Sequence, residues 1–216
     1  MLVAAGPAAL SAPPSAAAPR DETLEKARAL YGRLSDLSAS FEQVSLWQGV
    51  EEPVVSRGAL SLKLPDRVRL DYREPDGDVL VSDGRVLWTY VRSLRQAVRT
   101  ELDSTGYHVG RLLLAFLETS AGVERIGDEK VDGKPAVHYR VHWTGNPFQL
   151  ADLRVWIARA EGYVVRFEFE DSQGNRTKYV FSKIRTDRGL AERMFDFTPP
   201  PGTDVVSYAP GANAAE

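Results

Sequence analysis

Apolar residues recur at helical spacing near the start of the chain and then give way to alternation. Leu24, Ala27, Leu30, Tyr31, Leu34 and Leu37 follow one another at intervals of mostly three, with Ala27 and Tyr31 four apart, as on one buried face of an amphipathic helix. Asp21 stands where an N-cap belongs, with Glu22 and Glu25 at the positive end of the helix dipole. The pattern predicts one helix of about four turns ending near Ser38. From residue 39 the period is two. About eleven strand-sized segments follow, centred on 41–48, 57–64, 68–73, 78–82, 86–91, 95–100, 122–128, 135–143, 152–159, 163–170 and 176–184, which predicts an antiparallel meander.

The apolar face sets expectations for the turns, because a one-residue slip would turn every side chain over. A three-residue loop over Pro65, Asp66 and Arg67 pairs Leu64 with Val68, Leu62 with Leu70 and Leu60 with Tyr72. A loop over Ala160–Gly162 pairs Ile157 with Val165, Val155 with Phe167 and Leu153 with Phe169. A longer loop from Asp171 to Asn175 then sets Phe169, Phe167 and Val165 against Thr177, Tyr179 and Phe181. Asp83-Gly84 suits a two-residue turn and puts Val79, Val81, Val86, Trp88 and Tyr90 on one face. The expected common interior is therefore Leu60, Leu62, Leu64, Val68, Leu70, Tyr72, Val79, Val81, Trp88 and Tyr90.

One segment breaks the alternation. In 105–122, Leu112, Leu113, Phe116 and Leu117 fall at helical spacing, and the segment is apolar almost all round, so it should cover something apolar. Two modest helices conceal less apolar surface than eleven strands present. The expected architecture is an unclosed antiparallel barrel of about eleven strands with lid helices over an apolar cavity. Leu30, Leu34, Leu112, Leu113 and Phe116 are the expected lid residues.

Composition narrows the function. Residues 1–20 are rich in Ala, Pro and Ser and read as a signal-like or disordered leader; 21–208 form a single domain, and 209–216 a disordered tail. The formal net charge of −3, with both signs interspersed, gives no footprint for nucleic acid. The chain has no Cys, which removes disulfides, thiolate metal sites, Cys nucleophiles and a lipid anchor on an N-terminal Cys. A soluble, exported, monomeric protein without cofactor is expected.

Candidate chemistry is sparse. His138 and His142 share a strand face but sit about 13 Å apart at strand rise, too far to chelate one ion, so no metal is expected. No nucleophile elbow, zincin motif or phosphate loop occurs. Asp71, Glu168 and Glu170 fall on the polar face and read as cross-strand charge pairs. Each of the four Trp residues fits a core position or a ligand contact.

The segments LSASFEQV (37–44), RGALSLKLPDRVRLDYREP (57–75), LVSDGRVLWTY (80–90), FEFEDSQGNRTKYVFSKI (167–184) and MFDFTPPPGTDVV (194–206) follow one another along the chain. Their order resembles that of the LolA family of periplasmic lipoprotein carriers. The resemblance implies an open barrel whose cavity takes the acyl chains of lipoproteins. The implied partners are acylated lipoproteins, an inner-membrane ATP-driven release complex and an outer-membrane receptor, and the implied location is the periplasm. The family usually carries an Arg before the Pro of the second hairpin, thought to latch the lid; here the run is Lys63-Leu64-Pro65, with Arg67 or Arg57 as the candidate substitutes, or packing alone to hold the lid. Two positions usually aromatic are Val68 and Leu70. Two other readings follow from the same residues. A lipid sensor on this fold usually carries a second domain, for which the sequence leaves no room. An enzyme would need an ionisable pair pointing inward, where the pattern places apolar residues.

Overall fold

Asp21 caps the first helix as its position requires: its carboxylate accepts hydrogen bonds from the backbone N–H groups of Thr23 and Leu24, both at 3.1 Å. A computed structural model of the chain describes residues 21–74, 77–102, 114, 121–143 and 149–208. Helix α1 spans Glu22–Tyr31 and ends at Gly32, whose N–H bonds back to the carbonyl of Arg28. It is shorter than the periodicity predicts. Leu34 lies in the following turn, and Leu37 already belongs to the strand β1, Asp36–Leu46. Both are buried, at 6% and 3% exposure. The helical spacing continues across the turn because the turn presents its Leu to the same core.

Eleven further strands follow: β2 (Val54–Lys63), β3 (Arg67–Glu74), β4 (Val79–Ser82), β5 (Val86–Val91), β6 (Gln96–Glu101), β7 (Ala121–Val131), β8 (Lys134–Trp143), β9 (Leu150–Ala158), β10 (Val164–Asp171), β11 (Arg176–Thr186) and β12 (Asp204–Tyr208). All eleven expected strands are present. β12 is additional to them, and it joins β6 in parallel. The single sheet has the order β12-β6-β5-β4-β3-β2-β1-β11-β10-β9-β8-β7. The chain therefore begins its sheet in the middle, builds outward to β6, and returns to fill the other half. β7 and β12 are the two edges, so the sheet does not close.

It does curl. Leu60, Leu62, Val68 and Leu70 from β2 and β3 share one core cluster with Val137, Tyr139, Leu153 and Ile157 from β8 and β9, strands far apart in the sheet order. Leu24, Ala27 and Tyr31 of α1 lie in the same cluster, so α1 fills the inner face. Leu114 is helical and packs half-buried against it. The lid residues Leu112, Leu113 and Phe116 lie outside the described residues, as do the leader and the tail.

The registers refine the expected pairings. Between β10 and β11, Phe167 faces Tyr179 and Phe169 faces Thr177, as predicted. Between β9 and β10, Val155 faces Phe167 and Leu153 faces Phe169, but a bulge shifts Ile157 onto Val164 instead of Val165. Between β2 and β3 the loop is Leu64-Pro65-Asp66, flanked by the pair Lys63–Arg67. Leu62 then faces Val68 and Leu60 faces Leu70, a slip of two residues that keeps each side chain on its expected face. The β4–β5 pairing is likewise shifted by two, with Ser82 facing Leu87.

Candidate functional site

The inner face is built from residues that alternate along neighbouring strands. Leu60, Leu62, Val68 and Leu70 are each at most 3% exposed, and Leu64 and Tyr72 are partly buried against the same cluster. Tyr72 turns its ring edge onto Phe41, with centroids 5.2 Å apart, and donates its hydroxyl proton to Gln43 Oε1 at 2.8 Å. The Phe41 ring needs room, and Gly58 supplies it: a Cβ there would lie 2.2 Å from the Asp71 carbonyl oxygen and 2.8 Å from the Phe41 ring. Phe167 and Tyr179 stack at 4.9 Å with an interplanar angle of 2°, extending the apolar wall across β10 and β11.

Four residues expected on this face stand on the other one. Arg69 faces Val81 and Asp71 faces Val79 across β3–β4. Directly opposed residues share a face, so Val79 and Val81 lie with Arg69 and Asp71 on the outer surface. Trp88 and Tyr90 face Val81 and Val79 and go with them. Inside, Leu70 faces Leu80 instead. Val81, Tyr90 and Ala97 are nonetheless buried, because the C-terminal segment crosses over them. Phe197 meets the rings of Trp88 and Tyr90 at 5.6 and 5.9 Å, and Phe195 is 2% exposed. Both faces of β4 and β5 are apolar, so apolarity alone does not tell inner from outer.

The segment is tied down by one carboxylate. Asp36 is 3% exposed and accepts hydrogen bonds from the N–H groups of Arg188, Gly189 and Leu190 at 2.9, 2.8 and 3.1 Å. Burial would raise its pKa, but these donors outweigh burial and hold the carboxyl below its usual range.

Helix α1 is fastened through polar contacts to the β7–β10 side. Lys26 Nζ donates to the carbonyls of Arg159 and Ala160 in the β9–β10 turn, at 2.9 and 3.2 Å. The Tyr31 hydroxyl accepts from the Val164 N–H at 3.1 Å. Tyr139 donates its hydroxyl proton to Asp21 at 2.7 Å, and Arg125 lies 3.4 Å from the same carboxylate. Burial pushes the phenols of Tyr31 and Tyr139 well above the usual range. The apolar side of α1, Leu24, Ala27 and Tyr31, lies in the core cluster, and Leu30 packs half-buried against it. Neither Arg offered as a substitute latch touches α1 in the described contacts. Arg57 bonds Glu42 and Glu74, and Arg67 pairs with Glu192. Position 64 meets the α1–β1 turn through its backbone, Leu64 N–H donating to Ser35 O at 3.0 Å. Asp21 is visible in the sequence as a cap. Its bond to Tyr139 is not, because 118 residues separate the two.

Ionisable groups gather on the outer face. His138 stacks on Trp156 at 4.1 Å, and Glu129 bonds the indole N–H at 2.8 Å and His138 Nδ1 at 2.9 Å. The Trp156 hydrogen bond, opposed by burial and helped by His138, lowers the Glu129 pKa. Trp156 is 2% exposed and belongs to a small second core with Val131 and Ala136. Among the described residues, no group of three or more His, Asp or Glu side chains is placed to hold a metal ion. No described helix is long and apolar enough to cross a membrane.

An open, curled antiparallel sheet with one apolar face capped by an amphipathic helix defines a half-barrel scaffold. Within that class the chain belongs to the family described as outer membrane lipoprotein carrier protein LolA, whose model matches residues 33–198. It is 31% identical over 211 residues to the outer-membrane lipoprotein carrier protein of Chromobacterium violaceum, covering 96% of each chain. It is 27% identical to the carrier protein of the same name from Azotobacter vinelandii, covering 86% of this chain and 88% of that one. Among solved structures, an uncharacterized conserved protein from Thermus thermophilus shares the fold at a TM-score of 0.54 and 15% identity, covering 87% of this chain and 98% of that one.

Proposed function

We propose that the chain is a periplasmic carrier that takes the acyl chains of lipoproteins onto the inner face of its sheet and moves them from the inner to the outer membrane. The observation that carries the reading is the inner face itself: one apolar surface shared by strands from both halves of the sheet, covered by a short helix with polar ties toward one side. The relatives, outer-membrane lipoprotein carrier proteins by name, support the cargo. Leu60, Leu62, Leu64, Val68, Leu70 and Tyr72 contact the chains, and α1, with Leu30 and the adjoining Leu34, is the movable cover. In this reading the described tie points of α1 act as its hinge, and its apolar margin lifts from β2 and β3.

Each buried CH₂ contributes ~0.8 kcal/mol, so two or three long chains amount to tens of kcal/mol of exposure in water. A carrier that held them at full strength would never release them. Lifting α1 costs packing on loading, and that cost lowers the net affinity. Loading then needs an energised donor and unloading runs downhill. The donor in this reading is an inner-membrane ATP-driven release complex and the acceptor an outer-membrane lipoprotein receptor. The chain acts as a carrier and not as an enzyme. Mass spectrometry of material co-purifying with the protein from periplasm tests the proposal. Acylated lipoproteins are expected, and their absence alongside full recovery of the protein in the cytosol would overturn it.

A further inference from the structure

Exposed apolar side chains concentrate at one place outside the inner face. Nine large hydrophobic residues are exposed among the described residues, and five of them are Leu46, Trp47, Val50, Val54 and Val55, at 36 to 53% exposure. All five lie on the β1–β2 hairpin and its turn. The turn is ordered: Val50 N–H bonds the Trp47 carbonyl at 3.0 Å, and Gln48 N–H bonds Asn175 Oδ1 of the β10–β11 turn at 2.9 Å. A braced backbone therefore holds these side chains in water, and no described element covers them.

We infer that the β1–β2 hairpin tip is a membrane-contact site that seats in the interface of a zwitterionic bilayer. Three observations select this occupant. The apolar residues lie on both sides of the hairpin: Val44 faces Val55, while Val54 pairs with Ser45, the next residue along and so on the opposite face. A flat protein surface covers one side of a hairpin, whereas a fluid interface surrounds both. Trp47 is the most exposed of the five, and Trp is the side chain enriched at membrane–water interfaces. Glu51 and Glu52 are exposed in the same turn. Their charge opposes anionic lipid and suits the ammonium groups of phosphatidylethanolamine, and it limits the tip to shallow seating. The tip lies at the opposite end of β2 from the Leu64 turn and needs no opening of α1, so its membrane contact is independent of acyl-chain carriage.

Sedimentation with vesicles of phosphatidylethanolamine and phosphatidylcholine tests it, using the full chain. The chain is expected to bind, and Trp47→Ser combined with Val50→Ser is expected to weaken binding by about tenfold or more. Leu94→Ser with Val205→Ser, which removes exposed apolar residues elsewhere, should leave binding unchanged. Brominated phosphatidylcholine should quench part of the wild-type Trp emission and spare the emission of Trp47→Phe, a readout independent of any loss of fold. No binding of the wild type, equal binding of the tip variant, or binding only after phosphatidylglycerol is added would each overturn the inference. So would a dimer that the tip substitutions dissolve, because the occupant would then be a second copy, and so would binding to a basic protein surface with none to vesicles.

Discussion

Asp36 carries more structure than its position at the start of a strand suggests. Its three N–H donors come from residues 188–190, so one carboxylate joins the first strand to the segment that covers the outer face. Its pKa is depressed in the folded state. Its contribution is therefore fully present above the unfolded value of about 3.9 and is lost as pH falls through the folded value. Asp36→Ala is expected to cost about 2 kcal/mol at pH 7 and to flatten the acid limb of the stability curve, as urea melts at pH 7 and pH 3 would show. Gly58 is a second such position. Its Cβ has no space between Asp71 O and the Phe41 ring, so Gly58→Ala should cost about 1–3 kcal/mol through overpacking. A thermal melt at least as high as that of the wild type would mean that β2 yields without strain.

Among the described residues, helix α1 and the C-terminal segment each cover one face of the sheet, and they are fastened differently. Tyr31→Phe leaves the Val164 N–H without the hydroxyl it meets at 3.1 Å, a loss of about 1–3 kcal/mol. Lys26→Met removes the two bonds to the β9–β10 turn. Together they should raise hydrogen exchange in α1 more than in β9 and increase binding of an acyl probe. Unchanged exchange in α1 would mean that apolar packing alone holds the helix. Phe195→Ala should instead cost about 3–4 kcal/mol and leave acyl binding unchanged, because Phe195 lies on the outer face. The strands and the core of α1 were legible in the sequence because the alternation is clean from β1 to β3 and from β8 to β11. Two-residue slips were not legible: at the Leu64 turn they return every side chain to its own face. The inner assignment of Val79 and Trp88 failed for a different reason. β4 and β5 carry apolar residues on both faces, and what buries the outer set, Phe195 and Phe197, arrives more than a hundred residues later. β12 escaped notice because it is five residues long, with four of them exposed.

On the scale of the whole molecule, the two halves of the sheet are joined at its centre by the pair β1–β11, which brings Leu37 opposite Thr186. Neither half of the inner wall is complete until that pairing forms. A chain ending at Asn175, which keeps β1–β6 and β7–β10 but lacks β11, is therefore expected to lose its cooperative thermal transition altogether, and a surviving sharp melt would show that one of the two half-sheets stands alone. Such long-range pairing also predicts folding in the slow range of milliseconds to seconds, measurable by stopped-flow refolding. The two outer edges of the same sheet have a separate consequence, for colloidal behaviour in concentrated solution. An unpaired strand edge is a template for another chain. β7 is guarded by its charges, Glu124, Arg125, Asp128, Glu129 and Lys130, and by an irregularity between Arg125 and Gly127. β6 has β12 laid along it in register from Gln96 to Thr100. Trimming the chain before Asp204 would strip that guard, so a shortened form that still folds should form fibrils or gels at concentrations where the longer chain stays clear.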